Sequence, residues 1–408
     1  MLRKGGCRGY IGLVAFSGVA RMAVNLDKRF MSLDVFRGLA IASMILVNNP
    51  GSWSHVYPPL RHAKWHGFTP TDWVFPAFLF VSGATMAFSL RKYLQDREQP
   101  TQQVYLRIIR RCVVLFLLGL FLNGSSIVME FLFNPSPEND WMTLFTEIRI
   151  MGVLQRIAVA YFLAAMAILT FSKRQLWGVL AVILLGYWGI MMLIPVPGYG
   201  IGDLSPEGNV AAYLDRLILA TQHLYKPTYD PEGLFSTLPA VGTVLLGYFT
   251  GDWLRKQPKE TSTTLGLVAF GLMGLIIGLL WGLVFPINKQ LWTSSYVLYS
   301  AGWSWLILAL FYELIEVRQI RRWSFPLQIM GLNAIFVFVA SGLLARVLYQ
   351  TSIGTGENAP STYTWLYQTL FEPWAGSVNG SLFFAITNVI FWGIVVYLLY
   401  RCHVFIKI

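Results

Sequence analysis

Stretches of about 20 residues with almost no charge recur along this chain, beginning with "DVFRGLAIASMILVNNP" (34–50) and "DWVFPAFLFVSGATMAFSLR" (72–91). The hydrocarbon core of a bilayer is about 30 Å thick and needs about that many helical residues to cross it. A buried core helix needs only an apolar stripe, whereas these runs are apolar on every side. Further runs fall at 107–127, 148–171, 175–194, 237–254, 264–286, 294–313, 325–349 and 380–401. They lack the alternation of a barrel strand, and only helices or closed barrels satisfy their backbone groups in lipid. The expected fold class is therefore all-α: a polytopic integral membrane protein with about ten transmembrane helices. Composition agrees, since 12% of residues are charged against about 25% in soluble domains. The 15 Trp and 19 Tyr can furnish aromatic belts at both interfaces.

The net charge of +11 could suggest nucleic acid, but the cations sit in short clusters between apolar runs, so no nucleic-acid partner is expected. Their asymmetry sets the orientation. With the N-terminus in the cytoplasm, Lys28, Arg29, Arg91, Lys92, Arg107, Arg110, Arg111, Lys173, Arg174, Arg255, Lys256, Arg321 and Arg322 all fall on that side. The loops opposite receive Arg61, Lys64, Arg216, Lys226 and Lys289. Both termini are then cytoplasmic. Residues 1–29 read as an N-terminal extension, because the apolar "YIGLVAFSGVA" is too short to span, with a signal peptide as the alternative. Residues 30–408 read as one transmembrane domain in a cell inner membrane. Its longest loop (195–236) lies outside and contains a short amphipathic helix, "NVAAYLDRLIL".

Ionisable and amide groups inside spans cost free energy and need a reason. Asp34 and Arg37 are one turn apart and form a local pair. Glu147, Arg149 and Arg156 lie in or near the fourth run, with the two arginines on one helical face, where they pair structurally with a facing helix or contact a ligand. Cys112 reads as a small core residue. Asn48 and Asn49 close the first run before Pro50-Gly51, which suits a helix cap but also a polar ligand contact. Asn333, in "GLNAIF", has no capping role in view and must find an internal partner. Two of the chain's five histidines, His62 and His66, crowd with Asp72 at the outer lip of the second span. Pro58, Pro59, Gly67 and Pro70 break any regular helix there, and no third ligand stands at a recognisable spacing, so no metal is expected. A carboxylate such as Asp72 can fix the tautomer of an imidazole and stabilise its charged form.

Six blocks in order carry a resemblance: "SLDVFRGLAIASMILVN", "HAKWHGFTPTDWVFPAFLFVSG", "GVLQRIAVAYF", "YDPEGLFSTLPAV", "NKQLWTSSYVLYSAGW" and "IMGLNAIFVF". Together they resemble the heparan-α-glucosaminide N-acetyltransferase family. The resemblance implies an acyltransferase that draws on cytoplasmic acetyl-CoA and acetylates an amino sugar or glycan at the periplasmic face. The family's proposed catalytic histidine matches His62, which would serve as general base or acetyl carrier with Asp72 orienting it. Asn48 and Asn333 are candidates for the thioester or pantetheine arm, and Arg107, Arg110 and Arg111 for the CoA phosphates. The partners are then the bilayer and a glycan acceptor, and a homodimer is compatible with this reading. Loop 195–236 is the chain's own, so the acceptor is what the resemblance specifies least. The rival function is a transporter or flippase of a glycan or lipid-linked intermediate, in which the same polar residues would line a path.

Overall fold

The computed structural model describes residues 30–91, 93, 101–133, 142, 146–354 and 359–406; the extension 1–29 lies outside them. The described residues form thirteen α-helices and no strand: α1 (Met31–Asn48), α2 (Pro70–Ser89), α3 (Gln102–Phe133), α4 (Val153–Thr170), α5 (Lys173–Leu193), α6 (Val210–Leu219), α7 (Thr237–Leu254), α8 (Thr261–Gly282), α9 (Ser294–Tyr312), α10 (Phe325–Leu332), α11 (Ala334–Gln350), α12 (Thr362–Leu370) and α13 (Glu372–Arg401). Eight of them are long and apolar enough to cross a membrane: α1 to α5, α8, α9 with the π-helical turn that extends it, and α13. The α10–α11 pair adds a ninth span if its two arms count as one.

The tenth expected span, α7, has the length of α1 but is diluted by Thr243, Thr250 and Asp252. It needs little apolar exterior because α2, α4, α5 and α9 surround it, and nearly all its side chains are buried. At the α2–α7 crossing the two backbones meet almost directly. A Cβ on Gly247 would come within 1.9 Å of the Phe80 carbonyl oxygen, and one on Gly83 within 1.9 Å of the Val244 oxygen. Small residues let helix backbones meet where lipid offers no hydrophobic drive for association. By contrast α5, α8 and α13 leave large apolar side chains such as Val182, Leu280 and Ile390 exposed, as lipid-facing helices do.

Two expected spans differ in form. The run at 325–349 is not one straight helix but bends by 72° at Asn333. Asn333 ends α10, which overturns the view that it has no capping role. Its Nδ2 donates to the Val404 carbonyl (3.4 Å) and its Oδ1 accepts from the Ile406 N–H (2.9 Å), tying down the C-terminal segment. The fourth span begins only at Val153, so Arg149 precedes the helix and shares no helical face with Arg156. Physically, both arginines follow their acceptors into the 229–236 turn and not onto a facing helix, as described below. The short helix expected in the long loop is present as α6, capped by Asn209, whose Oδ1 accepts from the Ala212 N–H (2.8 Å).

Candidate active site

At the N-terminus of α2 one carboxylate holds a helix end and a histidine together. Pro70 starts the helix, where its missing N–H costs nothing. Asp72 turns back so that Oδ2 accepts from the Thr69 N–H (3.1 Å), the Thr69 hydroxyl (3.0 Å) and the Ala63 N–H (3.1 Å). Its Oδ1 faces His62 Nδ1 at 2.7 Å. An ionised carboxylate only accepts, so Nδ1 carries the proton and Nε2 is the basic nitrogen of the neutral ring. Asp72 is 1% exposed and the His62 side chain 39%, which shields the orienting charge and leaves the imidazole reachable. His62 itself lies in irregular chain, as the prolines and Gly67 require: Gly67 has φ +117° and donates its N–H to the Ile287 carbonyl (2.8 Å).

The tight 286–293 turn supplies a third member. Asn288 is fully buried and accepts the Leu291 N–H on its side chain, while Thr293 bonds back to Pro286. This turn carries Lys289, whose Nζ lies 3.1 Å from Nδ1 and 3.3 Å from Nε2 of His62, and 3.7 Å from Asp72 Oδ1. Burial pulls the Lys289 pKa below that of a free lysine, although Asp72 and Glu232 oppose the shift. His66, by contrast, has the Asn288 amide (3.3 Å) as its polar contact among the described residues.

Behind Lys289 stands a buried ionic knot from the "YDPEGLFS" turn. Arg149 grips Asp230 (2.6 and 2.9 Å) and Glu232 (2.6 Å). Burial opposes the charge on Arg149, but the two carboxylates win and raise its pKa. Arg156, fully buried in α4, donates to the Gly233 carbonyl and the Ser236 hydroxyl, and its guanidinium lies 4.9 Å from the Trp292 ring centroid. From the sequence Lys289 reads only as an outer cation, and Asp230 and Glu232 do not stand out. The signal was the presence of all three inside the blocks "NKQLW" and "YDPEGLF".

Two cavities run into the bundle from its two ends. One, of about 410 Å³, lies at the end of the bundle where α1 closes and is walled by Asn48, Asn123, Arg149, Gln155, Arg346 and Tyr349 among others, with His62 outside its lining. The other, of about 400 Å³, lies at the opposite end, where Asp34, Arg37, Ser82, Ser89 and Arg111 contribute to its wall. A void of about 10 Å³ between Ile41, Phe78, Leu154, Ala334 and Phe338 shares walls with both. Gln155 Nε2 in the first cavity and Arg111 Nε in the second are buried without a hydrogen-bond partner. Buried donors of this kind call for a bound polar group.

The structure thus unites His62 with Asp72, and sets Asn48 and Arg111 in cavity walls. Asn49 takes the capping part, donating to the Ile45 carbonyl (2.8 Å). Arg107 and Arg110 are exposed on α3 and wall neither cavity, and the Asn333 amide is spent on the C-terminal segment. Among the described residues no group of three His, Cys, Asp or Glu side chains is arranged to hold a metal.

Fold and site together define a polytopic helical membrane protein with a carboxylate-oriented histidine at one end of the bundle. Residues 29–279 match the family model described as heparan-alpha-glucosaminide N-acetyltransferase, catalytic, and the chain belongs to that family. The heparan-alpha-glucosaminide N-acetyltransferase of Homo sapiens is 30% identical over 369 residues, covering 77% of this chain and 53% of the relative. That of Mus musculus is 28% identical over 370 residues, covering 78% and 54%. The chain therefore spans about half the length of the curated relatives it matches. The family match holds His62, Asp72, Arg149 and Glu232; Lys289 and Asn333 lie beyond its end.

Proposed function

We propose that residues 30–408 form one transmembrane acetyltransferase domain that passes an acetyl group from cytoplasmic acetyl-CoA to an amino sugar or glycan at the periplasmic face of an inner membrane. The observation that carries this reading is the His62–Asp72 pair at 2.7 Å, with an exposed imidazole and a buried carboxylate. Membership of the family and the cation asymmetry, which puts the His62 end outside, support it.

His62 Nε2 takes the proton of the acceptor amine or hydroxyl as that atom attacks the thioester carbonyl. Asp72 stabilises the imidazolium that results. The Lys289 ammonium faces the negative charge that grows on the carbonyl oxygen. The C–S bond then breaks and the thiol leaves. The same Nε2 could instead carry the acetyl group between the two substrates. Arg111 and Arg37 in the far cavity suit the phosphates of the donor, and Asn48 and Gln155 in the near cavity suit its amide-rich arm. The two end-to-end cavities also fit the rival reading, transport of a glycan or lipid-linked intermediate. Incubating the purified chain in nanodiscs with radiolabelled acetyl-CoA and cell-envelope glycans separates the two. Label on a glycan with release of free thiol supports transfer; glycan movement in vesicles without thiol release supports the transporter.

A further inference from the structure

Beside the near cavity lies a second recess, of about 200 Å³, between the loop that carries His62 and the α12–α13 corner. It is lined by Trp53, His55, Tyr349, Thr364, Gln368 and Glu372, and Tyr349 belongs to both walls. Its base is well fixed. The Gly51 and Ser52 N–H groups donate to the Ser381 carbonyl (3.2 Å) and hydroxyl (3.1 Å), and Tyr363 donates to the Pro50 carbonyl (2.8 Å). Tyr349 stacks on Tyr363 with centroids 4.1 Å apart. The Tyr367 hydroxyl lies 3.2 Å from Glu372 Oε1 and 2.9 Å from the Ser377 carbonyl, which places the carboxylate at the recess. Trp53 is 60% exposed, so its ring is available for stacking.

We propose that this recess is the subsite for one sugar ring of the acceptor next to the ring that reacts at His62, and that it selects an unsulfated hexosamine unit. An aromatic face, hydroxyl and amide groups and a single carboxylate are what an ammonium-bearing pyranose needs: CH groups over the indole, hydroxyls to Thr364 and Gln368, and the ammonium to Glu372. No lysine or arginine is among its described lining residues. A sulfate or uronate there would meet the Glu372 carboxylate with no lysine or arginine to offset it, which disfavours it. At about 200 Å³ the recess is smaller than a drug-sized pocket of about 300–1,000 Å³, so it takes one ring and not a chain. The proposal rests on the acetyltransferase reading for its biological role, but not for its test.

The probe is a glucosamine disaccharide, used free and O-sulfated, with the full chain in nanodiscs. Binding is read from tryptophan fluorescence and transfer from label incorporation. The expected result is a fluorescence change with the unsulfated sugar that Trp53→Phe diminishes, and weaker binding of the sulfated one. Glu372→Gln should raise the acceptor Kd, and the KM where transfer occurs, by roughly tenfold, the loss of a charge-assisted hydrogen bond. Donor binding, read as the thermal shift with acetyl-CoA, should persist in both variants. Trp374→Ala, which removes an exposed ring outside the recess, should change neither constant. Sugar binding without any acetyl transfer would sink the acetyltransferase reading and leave the subsite standing. Unaltered acceptor constants in both Trp53→Phe and Glu372→Gln, or equal binding of the sulfated disaccharide, would overturn the subsite.

Discussion

Replacing Asp72 with asparagine tests the site through the proton it controls. The carboxylate receives three donors on Oδ2 and one, from His62, on Oδ1. An asparagine there has a single acceptor oxygen, and the three donors claim it. Its amide N–H₂ must then face His62 Nδ1 and donate, which makes Nδ1 the acceptor and moves the ring proton to Nε2. The helix end keeps its bonds, so stability falls by the charged contacts to His62 and to Lys289, on the order of 1.5–3 kcal/mol. Catalysis loses its base: a general base is worth about 10²–10⁴-fold, and a similar tautomer reversal in a Ser-His-Asp triad costs about 10⁴. The assay is kcat for acetyl transfer in nanodiscs, with thermal unfolding alongside. His62→Ala should abolish transfer while leaving the protein folded, and His66→Ala should retain substantial activity, with Asp72→Asn between them. A kcat for Asp72→Asn within about tenfold of wild type, in a protein of normal stability, would refute the assigned tautomer.

Three further outcomes are expected. Asn333→Leu leaves the Ile406 N–H and Val404 carbonyl unpaired, so it should cost about 1–3 kcal/mol and expose the C-terminal segment to proteolysis; unchanged thermal stability would show that the tie is not needed. Gly247→Val should prevent a stable, monodisperse protein, because its Cβ would overlap the Phe80 carbonyl and overpacking costs about 1–3 kcal/mol or more. Gly178→Val, where nothing lies within 4 Å, should be tolerated, and equal behaviour of the two would contradict the α2–α7 contact. With the native cysteines replaced, Lys226→Cys should react with an impermeant thiol reagent added outside and Glu260→Cys should not; the reverse pattern would invert the orientation.

Most helices could be read directly from the chain because lipid requires apolarity at every position of a span, and that requirement is local. The short helix α6 was legible for a similar reason, since its amphipathic pattern and Asn209 cap lie side by side in sequence. The kink at Asn333 was not, because the groups that satisfy its amide come from the distant C-terminal segment. Nor was the role of α7, whose threonines and aspartate are affordable only because neighbouring helices cover them.

The candidate site divides along the same line. Local sequence brought His62 and Asp72 together, since both sit on one loop-to-helix junction where the carboxylate is also the cap. Lys289 and the Arg149–Asp230–Glu232 knot come from turns far apart along the chain, and only the packing of α4, α7 and α9 sets those turns against one lip of the bundle. A charge on a loop carries no mark in the sequence of what it will face. Its partner, its burial and hence its chemistry are decided by which helix ends the bundle brings together.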